Sequence, residues 1–464
     1  MDLNEILGDA SEFIWGPWLL IPLLLLTGLY LTVLLRGLQV RHFRLAFWLA
    51  FIRRSDSDAE GDISHYQALS TALAATVGVG NIAGVATAIA LGGPGAVFWM
   101  WFTGMVGMAT KYSEAFLGVR FRRTDAAGEQ GGGPMHYLRN GIKGPVGLIL
   151  GGFFAVAGAF AAFGIGNMTQ ANTVAANVEE EWGVDPVATG VIITVITAVV
   201  ILGGIKSIGR VASAFVPVMI ILYVLGGAAV LAFNIDEIPS ALGLIFSDAF
   251  SGTAAGGGFA GAGVAAAIQY GVARGIFSNE SGLGTGGIAA AAAKTDHPVR
   301  QALVSMTQTF IDTLVVVSFT ALTIVITGVW EDSGEDEAAS WTARAFDAGL
   351  PGDWASVIVT ISVIFFAFST LLGWSYYGDR CVEFLFGRRA VFPYRLLFIV
   401  IVYVGATTTL TTVWTFSDVM NGLMALPNLI GLLILSPLVY RETRAYFREH
   451  PKGDKDLEAV DSKP

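Results

Sequence analysis

The sequence predicts an all-α polytopic membrane protein of eleven transmembrane helices, ten of them arranged as two inverted five-helix units. Three observations predict it: an apolar composition, loops that alternate between basic and acidic, and two glycine-rich interruptions five spans apart. Of the 464 residues, 54% are hydrophobic and 14% charged, where an ordinary soluble domain is about 25% charged. Mean hydropathy is +0.64. A soluble chain this apolar lacks the polar side chains to cover its surface. Apolar stretches recur along the whole length, which predicts one membrane domain over 1–464 rather than two or three soluble ones.

A helix needs about 20 apolar residues to cross the hydrocarbon. Such stretches run over 14–36, 66–91, 95–121, 146–178, 185–204 and 209–234, then over 259–293, 299–330, 353–378, 394–412 and 416–440. Segment 38–52 mixes Arg41, His42 and Arg44 with apolar residues and reads as an amphipathic connector at the interface. Segment 341–350 is either a second connector or a loop. No cleaved leader is expected, because Asp2, Glu5, Asp9 and Glu12 stand where a basic n-region would be.

Loop charge tests this count, since cytoplasmic loops are enriched in Lys and Arg. Alternate loops carry Arg53 and Arg54; Arg120, Arg122, Arg123, Arg139 and Lys143; Lys206 and Arg210; Lys294 and Arg300; then Arg380, Arg388 and Arg389. Arg441, Arg444 and Arg448 open the tail 441–464. The intervening loops are acidic at 179–181, at Asp236 and Glu237, and over 331–337, with Arg344 the clear basic exception. A miscount would scramble this alternation. It predicts a multi-pass protein of the cell (plasma) membrane, N-terminus outside and C-terminus cytoplasmic. The net charge of −10 comes with no basic surface interleaved with aromatics, so the lipid bilayer is an expected partner and nucleic acid is not. The lone Cys381 excludes an intrachain disulfide and a cysteine-ligated cluster, and no cofactor is expected.

The interruptions are Gly78-Val79-Gly80-Asn81-Ile82-Ala83-Gly84 in span two and residues 278–287, Ser-Asn-Glu-Ser-Gly-Leu-Gly-Thr-Gly-Gly, in span seven. Each glycine weakens a helix by about 1 kcal/mol relative to alanine, so both spans are expected to unwind. Unwound backbone survives at membrane depth only inside protein or beside a water-filled cavity. One such cluster alone is better explained by close helix packing. Two in corresponding positions, both with polar residues, favour a site. Span two enters from inside and span seven from outside. Residues 66–234 and 259–440 thus form inverted repeats with a midplane site between the broken helices, and 14–36 is an extra N-terminal helix. That plan predicts a monomeric carrier rather than a channel, whose filter needs a ring of like groups. Enzyme chemistry is not expected: His42, His65, His136, His297 and His450 fall in loops or at span ends, and no His-Glu-x-x-His occurs.

A half-helix N-terminus favours a carboxylate, and a half-helix C-terminus offers carbonyls to an ammonium or Na⁺. A small zwitterion uses both. Polar groups at depth add Gln170, Asp312, Ser369 and Thr370, with Trp374 one turn beyond Thr370. Asp312 is open to holding a cation or a proton. Glu280 is equally open to that role and to tying down its own unwound segment. The Ser369 and Thr370 hydroxyls either join span-two carbonyls around Na⁺ or bond the carbonyl four residues back. Arg274, alone in an outer half-span, either pairs with an acid as a gate or snorkels to the interface.

Four stretches carry a resemblance: residues 75–84, Gly132-Gly133-Pro134-Met135, residues 275–284 from Gly275 to Gly284, and Phe368-Ser369-Thr370-Leu371-Leu372-Gly373-Trp374. In them the chain resembles the sodium:alanine symporters, also called alanine or glycine:cation symporters. The resemblance implies a LeuT-type fold and uptake of a small neutral amino acid, alanine or glycine, coupled to Na⁺ by alternating access. It implies a substrate site lined by Thr76, Gly80, Asn81, Gln170, Phe277, Thr370 and Trp374. Similarity to the wider fold implies a sodium site at Ala74, Val77, Ser369 and Thr370. The alternative is a proton-coupled carrier of the same fold that uses Asp312 or Glu280.

Overall fold

A computed structural model describes residues 3–451 except 55, 57–58, 126–127, 252–259, 333–337, 339, 353 and 409–410. Parts of five expectations therefore lie outside the described residues: the starts of the spans expected at 259 and 353, residues 409–410 of the span expected over 394–412, the acidic loop at 333–337, and the tail beyond 451.

The chain opens with α1 (Leu3–Trp15) and α2 (Leu20–Leu34), an interfacial run of α3 (Leu38–Arg41) and α4 (Phe43–Trp48), then α5 (His65–Thr76), α6 (Ala83–Gly92) and α7 (Gly95–Arg120). The two-residue strands Arg123–Thr124 and Gln130–Gly131 pair antiparallel. There follow α8 (Pro134–Gly141), α9 (Pro145–Phe163), α10 (Thr169–Trp182), α11 (Pro186–Ile201), α12 (Gly204–Phe233), α13 (Ile238–Ser251), α14 (Ala260–Asn279) and α15 (Thr285–Ala291). The last are α16 (Pro298–Thr309), α17 (Val317–Thr327), α18 (Val329–Asp332), α19 (Trp341–Gly349), α20 (Ser356–Phe386), α21 (Val391–Thr407) and α22 (Thr411–Glu449).

Among the described residues, seven helical stretches are long and apolar enough to cross a membrane. The other four expected spans include the two interrupted ones, α5–α6 and α14–α15. They also include α11, with 16 residues, and α7, which carries Lys111 and Glu114 in its second half. Large apolar side chains such as Val191, Ile192, Val195 and Val199 of α11 point outward, exposed. An apolar surface of that kind is tolerated in lipid and not in water.

The structure differs from the expected elements in several places. The first long apolar stretch runs over Glu5–Leu34 rather than 14–36 and is interrupted at Gly16-Pro17, between α1 and α2, where Pro17 lacks the N–H that a helix interior needs. The strand pair Arg123–Thr124 and Gln130–Gly131 is β structure among otherwise helical elements. Helix α13 was not expected. Its Asp248 carboxylate accepts the Gly95 N–H at 2.8 Å, so it is pinned to the start of α7, a tertiary contact with no local signature. Helix α20 continues past 378 to Phe386, where Gly387 at φ 79° ends it. Segment 341–350 is a helix, buried through Trp341 and Phe346.

Helix α7 runs through the middle of the molecule, buried nearly end to end. Its glycines let neighbours come close: Gly104 faces Thr313, Gly107 faces Ser281 and Gly118 lies on the Gly287 backbone. Small residues permit such approach in membrane bundles. Two π-helical turns, Gly164–Met168 before α10 and Phe310–Val316 before α17, flank the two breaks. A π-turn leaves carbonyls without their usual partners, and such turns mark functional sites.

Candidate site between two broken helices

Both expected breaks are present. Helix α5 stops at Thr76, Val77 turns extended, and the chain resumes at Ala83 after one 3-10 turn over Val79–Asn81. Helix α14 stops at Asn279, Glu280 takes φ 56°, and α15 starts at Thr285. A left-handed conformation is unusual for a side-chain-bearing residue, so the surroundings must hold it there.

Asp312 stands between the breaks, on the π-turn of the eighth expected span. Its Oδ1 accepts from Asn81 Nδ2 at 2.8 Å, and its Oδ2 accepts from Ser278 Oγ and Thr313 Oγ1, each at 2.8 Å. One buried carboxylate thus ties the first break to the end of α14. Asn81 is fixed twice more. Its Oδ1 accepts the Gly78 N–H at 2.9 Å, and its carbonyl accepts from Thr320 Oγ1 at 2.7 Å. Glu280 accepts from Thr285 Oγ1 at 2.6 Å, within its own break. Of its two open roles, this geometry serves the tie.

Around Gly78 and Gly80 the other expected residues converge. Gln170 Oε1 accepts the Val79 N–H at 3.3 Å. A Cβ on Gly78 would collide with the Thr370 hydroxyl and come 3.4 Å from Gln170 Oε1; one on Gly80 would stand 2.9 Å from the Phe277 ring. Thr76 Oγ1 accepts from Gln308 Nε2 at 2.9 Å. Trp374 is fully buried and presses on Gly166 of the other π-turn, whose missing side chain makes the room. The substrate-site residues named from the resemblance thus gather around the first break, with Trp374 set back behind Gly166.

Ser369 Oγ lies 3.0 Å from the Ala74 carbonyl, 3.4 Å from that of Val77 and 2.8 Å from that of Phe366. Thr370 Oγ1 donates to the Phe366 carbonyl at 3.0 Å. Thr370 therefore makes the expected bond four residues back, while Ser369 bonds the carbonyl three residues back and also joins two carbonyls freed by the break. Turned toward Phe366, its proton leaves a lone pair beside those carbonyls: a hard-oxygen set suited to a hard cation.

Two ionic residues of the site were not anticipated, Lys111 and Glu114 of α7, both buried. Glu114 Oε1 accepts the N–H groups of Gly282 and Gly284 at 2.8 and 3.0 Å, and Asn428 Nδ2 at 2.8 Å. Lys111 Nζ donates to the Glu280 carbonyl at 3.2 Å. The second break is thus held by a carboxylate on its free amides and an ammonium on a free carbonyl. A signal was available: ionisable residues within a span mark function by default.

The two ends of the site differ. Toward Glu180 a cavity of about 570 Å³ is lined by Ala83, Thr173, Asn177, Arg274, Phe277 and Trp414 among others. Phe277 stacks on Trp414 at 5.8 Å. Arg274 reaches Asp418 at 3.9 Å and lies 5.7 Å from the Phe277 ring, an arrangement that fits the gate rather than the snorkel.

The opposite, basic end is closed. Ile63 forms a parallel bridge with Ala293, and Asp62 N–H and Lys294 N–H donate across it at 2.8 and 2.7 Å. Arg122 donates to the carbonyls of Ala293 and Glu60 at 2.8 and 3.0 Å. Asp56 meets Arg300 at 3.0 Å, Arg53 at 3.0 Å and the His65 ring at 3.4 Å. Burial alone would raise the Asp56 carboxyl, but His65 and Arg300 outweigh it and hold the group well below the usual carboxylate range. Arg388 bonds Glu129 and lowers its carboxyl in the same way.

Residues 1–460 match the sodium:alanine symporter family. The chain belongs to this family. Among relatives, the sodium/alanine symporter AgcS of Methanococcus maripaludis is 53% identical over 96% of this chain and 98% of its own. The putative sodium/proton-dependent alanine carrier protein YrbD of Bacillus subtilis is 35% identical over 97% and 94%. A solved structure, the manganese transporter of Eremococcus coleocola, aligns over 82% of this chain and 80% of that one at 15% identity and TM-score 0.48. Members of the sodium:alanine symporter family are transporters and not enzymes. The buried polar groups above therefore belong to an integral membrane protein that performs amino-acid symport.

Proposed function

We propose that this family member imports alanine or glycine together with Na⁺ across the plasma membrane by alternating access. The fold in this reading is LeuT-type, with eleven spans. Residues 66–234 and 259–440 are the inverted repeats, 14–36 is the extra helix, the N-terminus is outside, and the tail 441–464 is cytoplasmic. The carrier works as a monomer. The observation that carries the reading is the pair of breaks bridged by Asp312, with a cavity on one side and a closed ion-pair cluster on the other.

The N-terminus of α6 offers free amides and a positive dipole end to the substrate carboxylate. Carbonyls at the end of α5 and the Gln170 amide oxygen face the ammonium. Thr76, Gly80, Asn81, Gln170, Phe277 and Thr370 line the site, and Trp374 backs it. The nearness of Phe277 to Gly80 favours a small side chain. Na⁺ sits among the carbonyls of Ala74 and Val77 and the hydroxyls of Ser369 and Thr370. It draws the end of α5 onto α20 and orders the first break, so the amino acid binds a preformed site. Closure of Phe277 and Arg274 then precedes opening of the Asp56–Arg300 cluster. One positive charge entering a negative interior gains about 2.3 kcal/mol per 100 mV, which drives accumulation.

The test is uptake of labelled alanine and glycine into proteoliposomes under an imposed Na⁺ gradient, with choline replacing Na⁺ at fixed pH. Uptake that survives the loss of the Na⁺ gradient refutes the reading. Uptake in choline that follows a pH gradient establishes instead the proton-coupled alternative through Asp312 or Glu280.

A further inference from the structure

Where the end of α2 and the short α3 meet the last turns of α22, a pocket of about 200 Å³ opens at the basic end of the molecule. Four arginines line it, Arg36 and Arg41 from one side and Arg444 and Arg448 from the other, and among the described residues no carboxylate does. Among the described residues none of the four forms an ion pair; the polar contact of Arg444 is with the Tyr440 hydroxyl, at 3.5 Å. Two basic clusters elsewhere at this end are neutralised: Asp56 serves Arg53 and Arg300, and Glu129 serves Arg380 and Arg388. Four like charges gathered without a counter-charge repel one another, so a concentration of this kind calls for an anion.

We propose that the pocket holds the phosphate headgroup of an anionic phospholipid. Basic pockets between transmembrane helices on the cytoplasmic side take such headgroups. The surroundings favour a lipid over a free anion. On α2, Leu26, Leu29 and Val33 are exposed and lead along one face toward Arg36. On α22, Ile430, Leu433 and Ile434 are exposed and lead toward Tyr440 and Arg444. A headgroup in the pocket thus has acyl chains laid along two apolar stripes that face the hydrocarbon. The volume suits a phosphate and its glycerol, below the range of about 300–1,000 Å³ that holds larger ligands.

The site also touches the closed end. His42 stacks on Phe447 at 3.8 Å in the pocket wall, and the adjacent Tyr446 accepts from Arg300 Nε at 3.3 Å. A bound lipid therefore clamps the α3–α4 connector to α22 beside the Asp56–Arg300 cluster and supports its closed arrangement. This inference rests on the proposed orientation, with the basic end cytoplasmic, and is independent of the coupling ion.

The test uses the purified full-length protein in a neutral detergent. Phosphatidylglycerol or phosphatidylcholine is added, and bound lipid is counted by native mass spectrometry. Each arginine beside an anionic headgroup is worth about fivefold, so the Arg41→Gln/Arg444→Gln double variant is expected to bind phosphatidylglycerol about 25-fold more weakly. The wild type should prefer phosphatidylglycerol to phosphatidylcholine, and Arg389→Gln, an exposed arginine elsewhere on the same end, should keep that preference. Unchanged melting in phosphatidylcholine alone shows that the variants are folded; both replaced arginines are exposed. Equal binding of the two lipids, or full binding by the double variant, overturns the proposal. So does displacement of the lipid by inorganic phosphate, which would make the pocket a free-anion site.

Discussion

Glu114 holds the second break from outside it, and Glu114→Gln measures how much that matters. The replacement keeps the shape and removes the charge. Three donors converge on one carboxylate oxygen, from Gly282, Gly284 and Asn428, all at 2.8–3.0 Å. A hydrogen bond to a charged group contributes about 1.5–3 kcal/mol and a neutral one about 0.5–1.5, so the variant loses roughly 1 kcal/mol per donor and about 3 in all. The second oxygen, Glu114 Oε2, has no hydrogen-bond partner, so the new NH₂ group enters a place without an acceptor and adds to the loss. Lys111 loses a nearby counter-charge too: its Nζ and Glu114 Oε2 would each stand 3.3 Å from a Cβ on Gly286, which bounds their separation at twice that distance. At about 2–4 °C per kcal/mol, and less in a chain this long, melting should fall by on the order of 5 °C. The assay is thermal unfolding of purified protein in detergent, followed by alanine uptake in proteoliposomes. Uptake should fall with the melting temperature, because the break can no longer keep its shape at each turnover. Melting and uptake like the wild type would refute the reasoning. They would mean that Glu114 is protonated in the folded protein, so that the amide replaces like with like.

Other perturbations separate the parts of the site. Ser369→Ala removes one oxygen beside Ala74 and Val77 and should raise the Na⁺ concentration for half-maximal uptake about tenfold, the equivalent of 1.4 kcal/mol, with little change in melting. Gly78→Ala places a methyl on the Thr370 hydroxyl; since that hydroxyl can rotate away, the fold should survive while the apparent affinity for alanine drops, as read by uptake at graded substrate. Gly166→Ala drives its methyl into the Trp374 side chain with no room to yield, and should cost about 1–3 kcal/mol or more in stability, read by melting. Asp56 has an ordinary carboxyl value of 3.8 and is held below it in the folded protein. Its contribution is thus complete above that value and is lost only as pH falls through the lower one. Hydrogen-exchange protection at 59–66 should hold from pH 7 to pH 5 in the wild type and be reduced throughout in Asp56→Asn, which leaves Arg300 only the exposed Asp296 and the Tyr446 hydroxyl.

What the sequence makes legible and what it hides divide along one physical line. Spans and loop charges are local properties of composition, and the glycine breaks are local failures of helix propensity, so all three can be read in order along the chain. Asp312 stands out for the same reason, as an acid within an apolar run, though its two open roles did not include the bridge it makes from Asn81 to Ser278. Glu280 is open to two roles in the sequence, and the short bond from Thr285 serves the tie. Helix α13 is invisible because its anchor is Asp248 on a backbone amide 153 residues away. The closing cluster at the basic end is invisible because Asp56 and Arg300 lie 244 residues apart. Lys111 and Glu114 are the instructive case. Both were visible as charges inside a span, yet their purpose depends on Gly282, Gly284 and Glu280, more than 160 residues further on. A break exposes amides and carbonyls that its own helix can no longer satisfy. Groups from elsewhere in the bundle therefore satisfy part of them: Gln170 and Thr320 for the first break, Lys111 and Glu114 for the second. Glycine tells where the backbone opens. Only the packed structure tells which distant side chains hold it open.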